Sequence, residues 1–370
     1  MKSRHRNRVF ISEWLAVALA VCLPLVAKPG ESNLTKITVG LSPFQDTLLP
    51  IIGKEKGWFE KEGLGVEFKT LAWNAIIPAV ASGAVDVAVY NTTGVVSVYN
   101  KQPDLIFWYP WNIFAKGAAL MGRPNIGLKT VQDFEKEGLA HAEAVKATVQ
   151  QLKGKTVVTT MGSDMGKAVV EATHNNGLDR DAFKIIDMDP DQGLAAFISG
   201  TGDAYLGGIP QRTRLNKEGY LTLLTGSDLA PVPLNGWITT KAFIEKNPEA
   251  LLKLQHVMFR IIRYTNANQD EIANTITDRL NSETGAKMTV EEFKKFWNEI
   301  EAYPKNAAEV KRDILNDTGF ANWKKTWDND NYYFVEVDKL IPENVPYDAF
   351  WGDKVQEQYI KKYGENETGL

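Results

Sequence analysis

Apolar and polar positions alternate along KITVGLS, where Ile37, Val39 and Leu41 share one face, and this pattern predicts a first strand. A small polar loop leads to Leu48, Leu49, Ile51 and Ile52, a helical stripe with Thr47 as its cap and Pro50 in its first turn. Gly57 predicts a left-handed end for that helix. VEFKTLA (66–72) reads as the second strand, Asn74 as the cap of a helix reaching Gly83, VDVAVY as the third strand and LIFWYPWN (105–112) as a further one. The frame then restarts. TVVTTM, FKIIDMD, DAYLGGI and LTLLTG predict four more strands, and the first two are followed by the helical runs MGKAVVEATHNNG and DQGLAAFISG. Each half also carries one short phrase, SGAVDVAVYNT at 82–92 and SGTGDAYLGGI at 199–209, with an Asp at its fifth position, Asp86 and Asp203.

Strands alternating with helices imply α/β architecture with mostly parallel sheets and right-handed crossovers. The two series predict two lobes, one formed by 34–122 with 235–370 and one by 153–234. Residues 123–152 read as a helical insertion between them. The region after 240 is almost wholly helical: Asn247 and Pro248 open a helix with a stripe of Leu251, Leu254, Met258, Ile261 and Ile262, and Thr289 with Glu292 forms a capping box. Loops at the carboxyl ends of parallel strands face the cleft in such folds. That rule gathers Ser42–Thr47, Trp73-Asn74, Asn91-Thr92, Met161–Met165 and Gly207–Arg212 around one volume.

Charge and targeting narrow the picture. A net charge of −4 over 370 residues argues against a nucleic-acid partner, which calls for a basic face. KSRHRNR (2–8) followed by WLAVALAVCLPLVA (14–27) has the build of a signal peptide covering 1–27, too short to span a bilayer comfortably, so the chain is expected to be exported. The single cysteine, Cys22, lies inside that segment in a lipobox-like LAVC, which offers a lipid anchor as the only direct tie to a membrane. Cleavage after Ala27 leaves no disulfide, thiolate nucleophile or Cys–zinc site. His5, His141, His174 and His256 have no ligand spacing, DMDPDQG (187–193) lacks the Gly and Glu of a calcium loop, and no phosphate-binding glycine motif is present. No metal or other cofactor is implied.

The candidate ligand-binding residues follow from the strand-end rule. Gly162, Ser163 and Asp164 open a helix and form a seat for an anion, although Asp164 favours an amine. Arg212 offers a clamp for an oxyanion. Trp73 and Trp237 supply aromatic walls, and Ser42, Gln45, Asn74, Asn91, Thr92 and Asp189 supply hydrogen bonds. Trp108 and Trp111 are further candidates for the walls. The other readings are that Ser163, Asp164, Asn91 and Thr92 cap helices, that Ser42 and Gln45 form a turn, that Arg212 lies at a solvated helix start, and that the four tryptophans, Trp108 above all, pack in the core.

The opening strand KITVGLSPF, IIGKEKGWFEKEGLGVEF, ASGAVDVAVYNT and LKGKTVV together resemble the periplasmic substrate-binding proteins of ABC importers, of the nitrate/sulfonate/taurine type, over about residues 35–300. The resemblance implies the two-lobed type II periplasmic-binding fold shared with the thiamine-pyrimidine synthases, hinge closure on a small solute, and delivery to an ABC permease with its ATPase. It implies a monomer in the periplasm, or on the outer face of the cytoplasmic membrane if lipidated. An anionic or zwitterionic organic solute such as a sulfonate or taurine is expected, with nitrate-like or heterocyclic solutes and a sensor role as alternatives. The cysteine-containing and histidine motifs of the synthases are absent, so no enzyme is expected. The long 128–150 segment and the aromatic C-terminal tail depart from the family pattern.

Overall fold

The computed structural model describes residues 34–370, so the signal-peptide and Cys22 expectations lie outside the described residues. Ten strands form two five-stranded sheets. The first contains β1 (Thr35–Leu41), β2 (Leu64–Thr70), β3 (Val87–Asn91), β4 (Leu105–Ile113) and β10 (Leu234–Thr240), in the order β2-β1-β3-β10-β4. The second contains β5 (Ala119–Gly122), β6 (Thr156–Thr159), β7 (Lys184–Asp187), β8 (Ala204–Gly207) and β9 (Leu221–Thr225), in the order β7-β6-β8-β5-β9. Each sheet is parallel but for one strand: β10 runs antiparallel to β3 and β4, and β5 antiparallel to β8 and β9. In both cases the exception is the strand by which the chain arrives from the other lobe. The mostly parallel reading therefore holds, with one antiparallel strand per sheet.

The repeated phrase does the same work twice. Asp86 accepts a hydrogen bond from the Thr38 amide at 2.8 Å and its own amide donates to the Thr38 carbonyl at 2.9 Å. Asp203 does the same with Thr156, at 2.8 Å both ways. Asp86 thus fastens β3 to β1 and Asp203 fastens β8 to β6, and both are structural.

The lobe boundary comes earlier than the sequence reading put it. β5 is a strand of the second sheet, so the first crossing lies at 114–118 and residues 119–122 belong to the second lobe. The helices Val131–Lys136 and His141–Gln150 pack against each other and the latter against β9 and the helix Asp164–Asn175, so they enlarge the second lobe and do not separate the two. The return crossing at 226–233 runs beside the first, with the Phe114 amide bonded to the Pro233 carbonyl at 3.2 Å. Gly236 of β10 sits where the pairing with β4 shifts register, and a Cβ there would lie 2.2 Å from the Tyr109 carbonyl oxygen, so only glycine fits.

Three cap expectations fail locally. Thr47 turns its hydroxyl back to the carbonyls of Ser42 and Phe44, because the helix starts only at Pro50. Asn74 lies exposed in a single turn, Trp73–Ala75, and caps nothing. Asn247 precedes its helix but bonds the Phe243 carbonyl of the previous one at 3.4 Å. The Thr289–Glu292 capping box forms as read. Among the described residues no helix is long and apolar enough to cross a membrane.

Candidate solute cleft

The loops after the strands of the two sheets meet. Asn91, at the end of β3, donates from Nδ2 to Asp164 Oδ1 at 2.7 Å across the lobes, while its Oδ1 caps the following helix through the Gly94 amide at 2.8 Å. Ser97 donates to the Gly162 carbonyl at 2.9 Å, and the Asn74 amide reaches Asp189 at 3.4 Å. The first of these contacts closes a hollow lined by Phe44, Asp46, Thr47, Trp73, Asn91, Phe114, Asp164, Met165 and Asn235. It holds about 270 Å³ between atoms with its mouth included, and its enclosed part has room for little more than a water-sized group. Past Asp164 and Phe114 it adjoins a second chamber lined by Thr93, Lys167, Leu229, Val232 and Pro233.

One wall is aromatic. Trp73 is stacked on Tyr90, with centroids 4.2 Å apart and 21° between planes, and Phe44 meets Trp73 edge-on at 5.2 Å. The other wall is acidic. Asp46 is 1% exposed and accepts from Asn235 Nδ2 at 2.7 Å. Burial pushes its pKa from 3.8 up to about 6, against the pull of that amide. Asp164 keeps some accessible surface because it lines the hollow, yet its carboxylate is otherwise enclosed by protein. Burial raises it too from 3.8 to about 6, against the Asn91 hydrogen bond. Behind Asp46 lies Glu301, 6% exposed and delivered by the π-helical turn Phe296–Ile300. Gln45 donates to it at 2.6 Å, Tyr303 also bonds it, and burial followed by the nearby Asp46 charge pushes its pKa well above the carboxylate range.

The sequence-derived candidates divide. Trp73, Asn91 and Asp164 line the hollow, and Asn74 and Gly162 line a separate, wider groove together with Ser97, Met161 and Leu340. Asp189 accepts from the Asn74 amide across the lobes and caps the helix Pro190–Ile198. Ser42 is buried and bonds the Leu71 carbonyl at 3.0 Å, Gln45 is held by Glu301, and Thr92 is fully buried with its hydroxyl unpartnered. At the helix start after 162–164 the Ser163 hydroxyl takes the Met165 amide and the Thr160 carbonyl takes the Gly166 amide. Arg212 points to the hinge instead of the hollow: its Nη1 donates to the Lys116 carbonyl at 2.8 Å and the Gly117 carbonyl at 3.3 Å, stapling the first crossing segment. Trp237 is fully buried, tilted against Trp111, with its indole N–H on Gln255 at 2.8 Å, and is a core residue. Phe44, Asp46, Phe114, Met165 and Asn235 were not singled out from sequence, although Phe44, Asp46 and Met165 fall within loops that the strand-end rule named.

A buried charge cluster joins the lobes on the far side of the second chamber. Asp330, in the C-terminal helix Trp323–Tyr332, is fully buried and accepts from the Thr93 hydroxyl of the first lobe at 3.1 Å and from Lys167 Nζ of the second at 2.6 Å. Glu171 lies 3.7 Å from the same ammonium. Burial alone would lower the Lys167 pKa, but Asp330 and Glu171 more than offset it and hold it above its usual value. Burial raises both acids against the pull of that one lysine. Arg180 also reaches Asp338, so the aromatic tail grips the second lobe at two points. Among the described residues no group of His, Cys, Asp and Glu is placed to hold a metal ion.

A family model described as the NMT1-like family matches residues 30–278. A putative aliphatic sulfonates-binding protein of Bacillus subtilis (strain 168) is 26% identical over 266 residues, covering 70% of this chain and 74% of the relative. Among solved structures, the alkanesulfonate-binding protein SsuA from Xanthomonas axonopodis pv. citri bound to MOPS superposes with a TM-score of 0.63 at 15% identity, covering 88% of this chain and 99% of the other. The periplasmic nitrate-binding protein NrtA from Synechocystis PCC 6803 gives 0.57 at 16% identity, covering 89% and 98%.

Proposed function

We propose, from the premise that the chain belongs to the NMT1-like family and carries the periplasmic-binding-protein fold, that it is an exported solute-binding protein. It captures a small organic solute between its lobes and hands it to the permease of an ABC importer. The observation that carries this reading is the hollow closed by Asn91–Asp164 and walled by Phe44, Trp73 and Phe114. Aromatic walls bury a small solute at little entropic cost, and a few fixed polar groups orient it. Two crossing segments, side by side at 114–118 and 226–233, are the natural place for the hinge rotation that opens the hollow. Capture needs no covalent step, and the only cysteine, Cys22, lies far from the hollow in sequence.

The relatives named above bind sulfonates and nitrate, which supports a small solute and import. The anionic half of the expected range has no support from the hollow itself, whose lining side chains are acids, amides, a hydroxyl and apolar groups, with no cation among them. A thermal-shift screen with amines, zwitterions, sulfonates and heterocycles tests capture. A solute at a hundred times its Kd stabilises the folded state by about 2.7 kcal/mol, a rise of several degrees. No shift with any solute class would contradict capture.

A further inference from the structure

The solute's charge is not given by membership of the family, and the residues around this hollow bear on it directly. Asp46 and Asp164 both line it. Neither carboxylate has a cationic side chain bonded to it: the partner of Asp46 is the amide of Asn235 and that of Asp164 the amide of Asn91. Buried carboxylates in folded proteins are ordinarily paired with a cation, because an amide offsets only part of the lost hydration. Lys167 is the nearest lysine in the adjoining chamber, and it is engaged by Asp330, Asn329 and Glu171. The three rings Phe44, Trp73 and Phe114 complete the wall, and an aromatic face attracts an organic cation through its quadrupole. A second observation marks the hollow as a place completed from outside the chain. The Trp73 side chain, only 5% exposed, lines it with its indole N–H unpartnered, and since an ammonium or amidinium has no acceptor atom, that donor is left for a water held beside the solute.

We propose that the captured solute is a small organic cation, an ammonium or amidinium group whose N–H bonds are shared between Asp46 and Asp164 while its body lies against Trp73, Phe44 and Phe114. This rests on the capture reading and fixes the sign of the charge within it. The cation supplies the counter-charge that the two acids lack, and the hydrogen bonds to them are charge-assisted. An anion of the sulfonate or nitrate type meets two carboxylates in an enclosed site, where like charges repel most strongly. The enclosed part has room for little more than a water-sized group, so only the charged head enters it and the hollow must widen between the lobes to take the body. Both acids titrate near pH 6, so cation affinity falls as pH drops through that value. The other charged groups acting there are Asp330 and Lys167 on Asp164, and Glu301 beside Asp46.

Titration calorimetry on the purified protein tests this with methylammonium, acetamidinium and guanidinium at millimolar concentration against nitrate, ethanesulfonate and taurine. The expected result is saturable binding of at least one cation and none of the two anions. Asp46→Asn and Asp164→Asn should each weaken that binding tenfold or more, while melting at or above the wild-type temperature at pH 7.5. Binding of an anion with no cation bound would overturn the charge inference and leave capture standing. Cation binding that survives both substitutions unchanged would also overturn it. Failure of every probe would overturn this inference, and capture falls with it only if the broader thermal-shift screen is also blank.

Discussion

Lys167→Met is expected to destabilise the protein by about 3–5 kcal/mol, the cost of leaving buried acids without their cation. Lys167, Asp330 and Glu171 are 3%, 0% and 6% exposed at the side chain, so water cannot replace the lost ammonium. Two acids share this one lysine, and Thr93 adds a single hydroxyl donor to Asp330. In a chain of this size the loss corresponds to a fall in Tm of roughly 5–10 °C at pH 7.5. The deficit should shrink as pH falls, because both acids already have raised pKa values and protonation removes their charge. Circular-dichroism melts read both effects. The triple variant Lys167→Met/Glu171→Gln/Asp330→Asn should recover most of the loss, since it removes the orphaned charges along with the cation. A Tm for the single variant within about 2 °C of wild type would show that the cluster is not a structural tie.

The second large effect is on the pH dependence of the solute-free protein. Asp46 and Asp164 have folded-state pKa values raised from 3.8 to about 6. A raised value means that the folded state binds the proton more tightly than the unfolded chain does. The contribution to stability is therefore fully present below about pH 4 and is lost as pH rises through about 6. For Asp46 the shift corresponds to on the order of 2–3 kcal/mol forfeited at neutral pH. The solute-free protein is expected to melt higher at pH 5 than at pH 7.5. Opposing groups with lowered values, such as Glu292 and Glu367, are half-exposed or paired and weaken stability only at lower pH. Asp46→Asn should raise the melting temperature at pH 7.5 and raise it by only about a third as much at pH 4.5, where the folded carboxyl is already protonated. An equal shift at both pH values would assign the effect to packing and not to the carboxylate. Stability is thus spent at the site where a solute is to be held.

Most of the architecture is visible in the chain because its signals are local. β1, β2 and β3 carry period-2 or fully apolar runs, and the repeated Asp86 and Asp203 announce the same strand pairing twice. β5 escaped because its four residues, Ala119–Gly122, sit in a small-residue stretch with no period of their own, and it takes its place only by pairing with β8 and β9. That one strand moves the lobe boundary. The strand-end rule located the cleft loops but not the direction of each side chain. It brought out Trp73, Asn91 and Asp164, and it also drew in Ser42 and Arg212, which bond backbone carbonyls instead. Trp237 looked like a wall because it lies near a crossing, but β10 is a central strand covered on both faces. Asp46 had a signal, an acid inside the apolar run PFQDTLLP, whose burial depends on Asn235 some 189 residues away. The tie between Lys167 and Asp330 spans lobes and helices far apart in sequence, so no periodicity reveals it.

The central claim is that two lobes close around a captured solute, and an interlobe distance tests it most directly. Lys101 of the first lobe and Lys184 of the second are both exposed, and with Cys22→Ser in place, cysteines substituted at these two positions are the only labelling sites. Spin labels there should give a broad or longer distance distribution without solute and a single narrower, shorter one at saturation. An unchanged distribution, with solute binding verified on the same labelled sample, would contradict capture by closure.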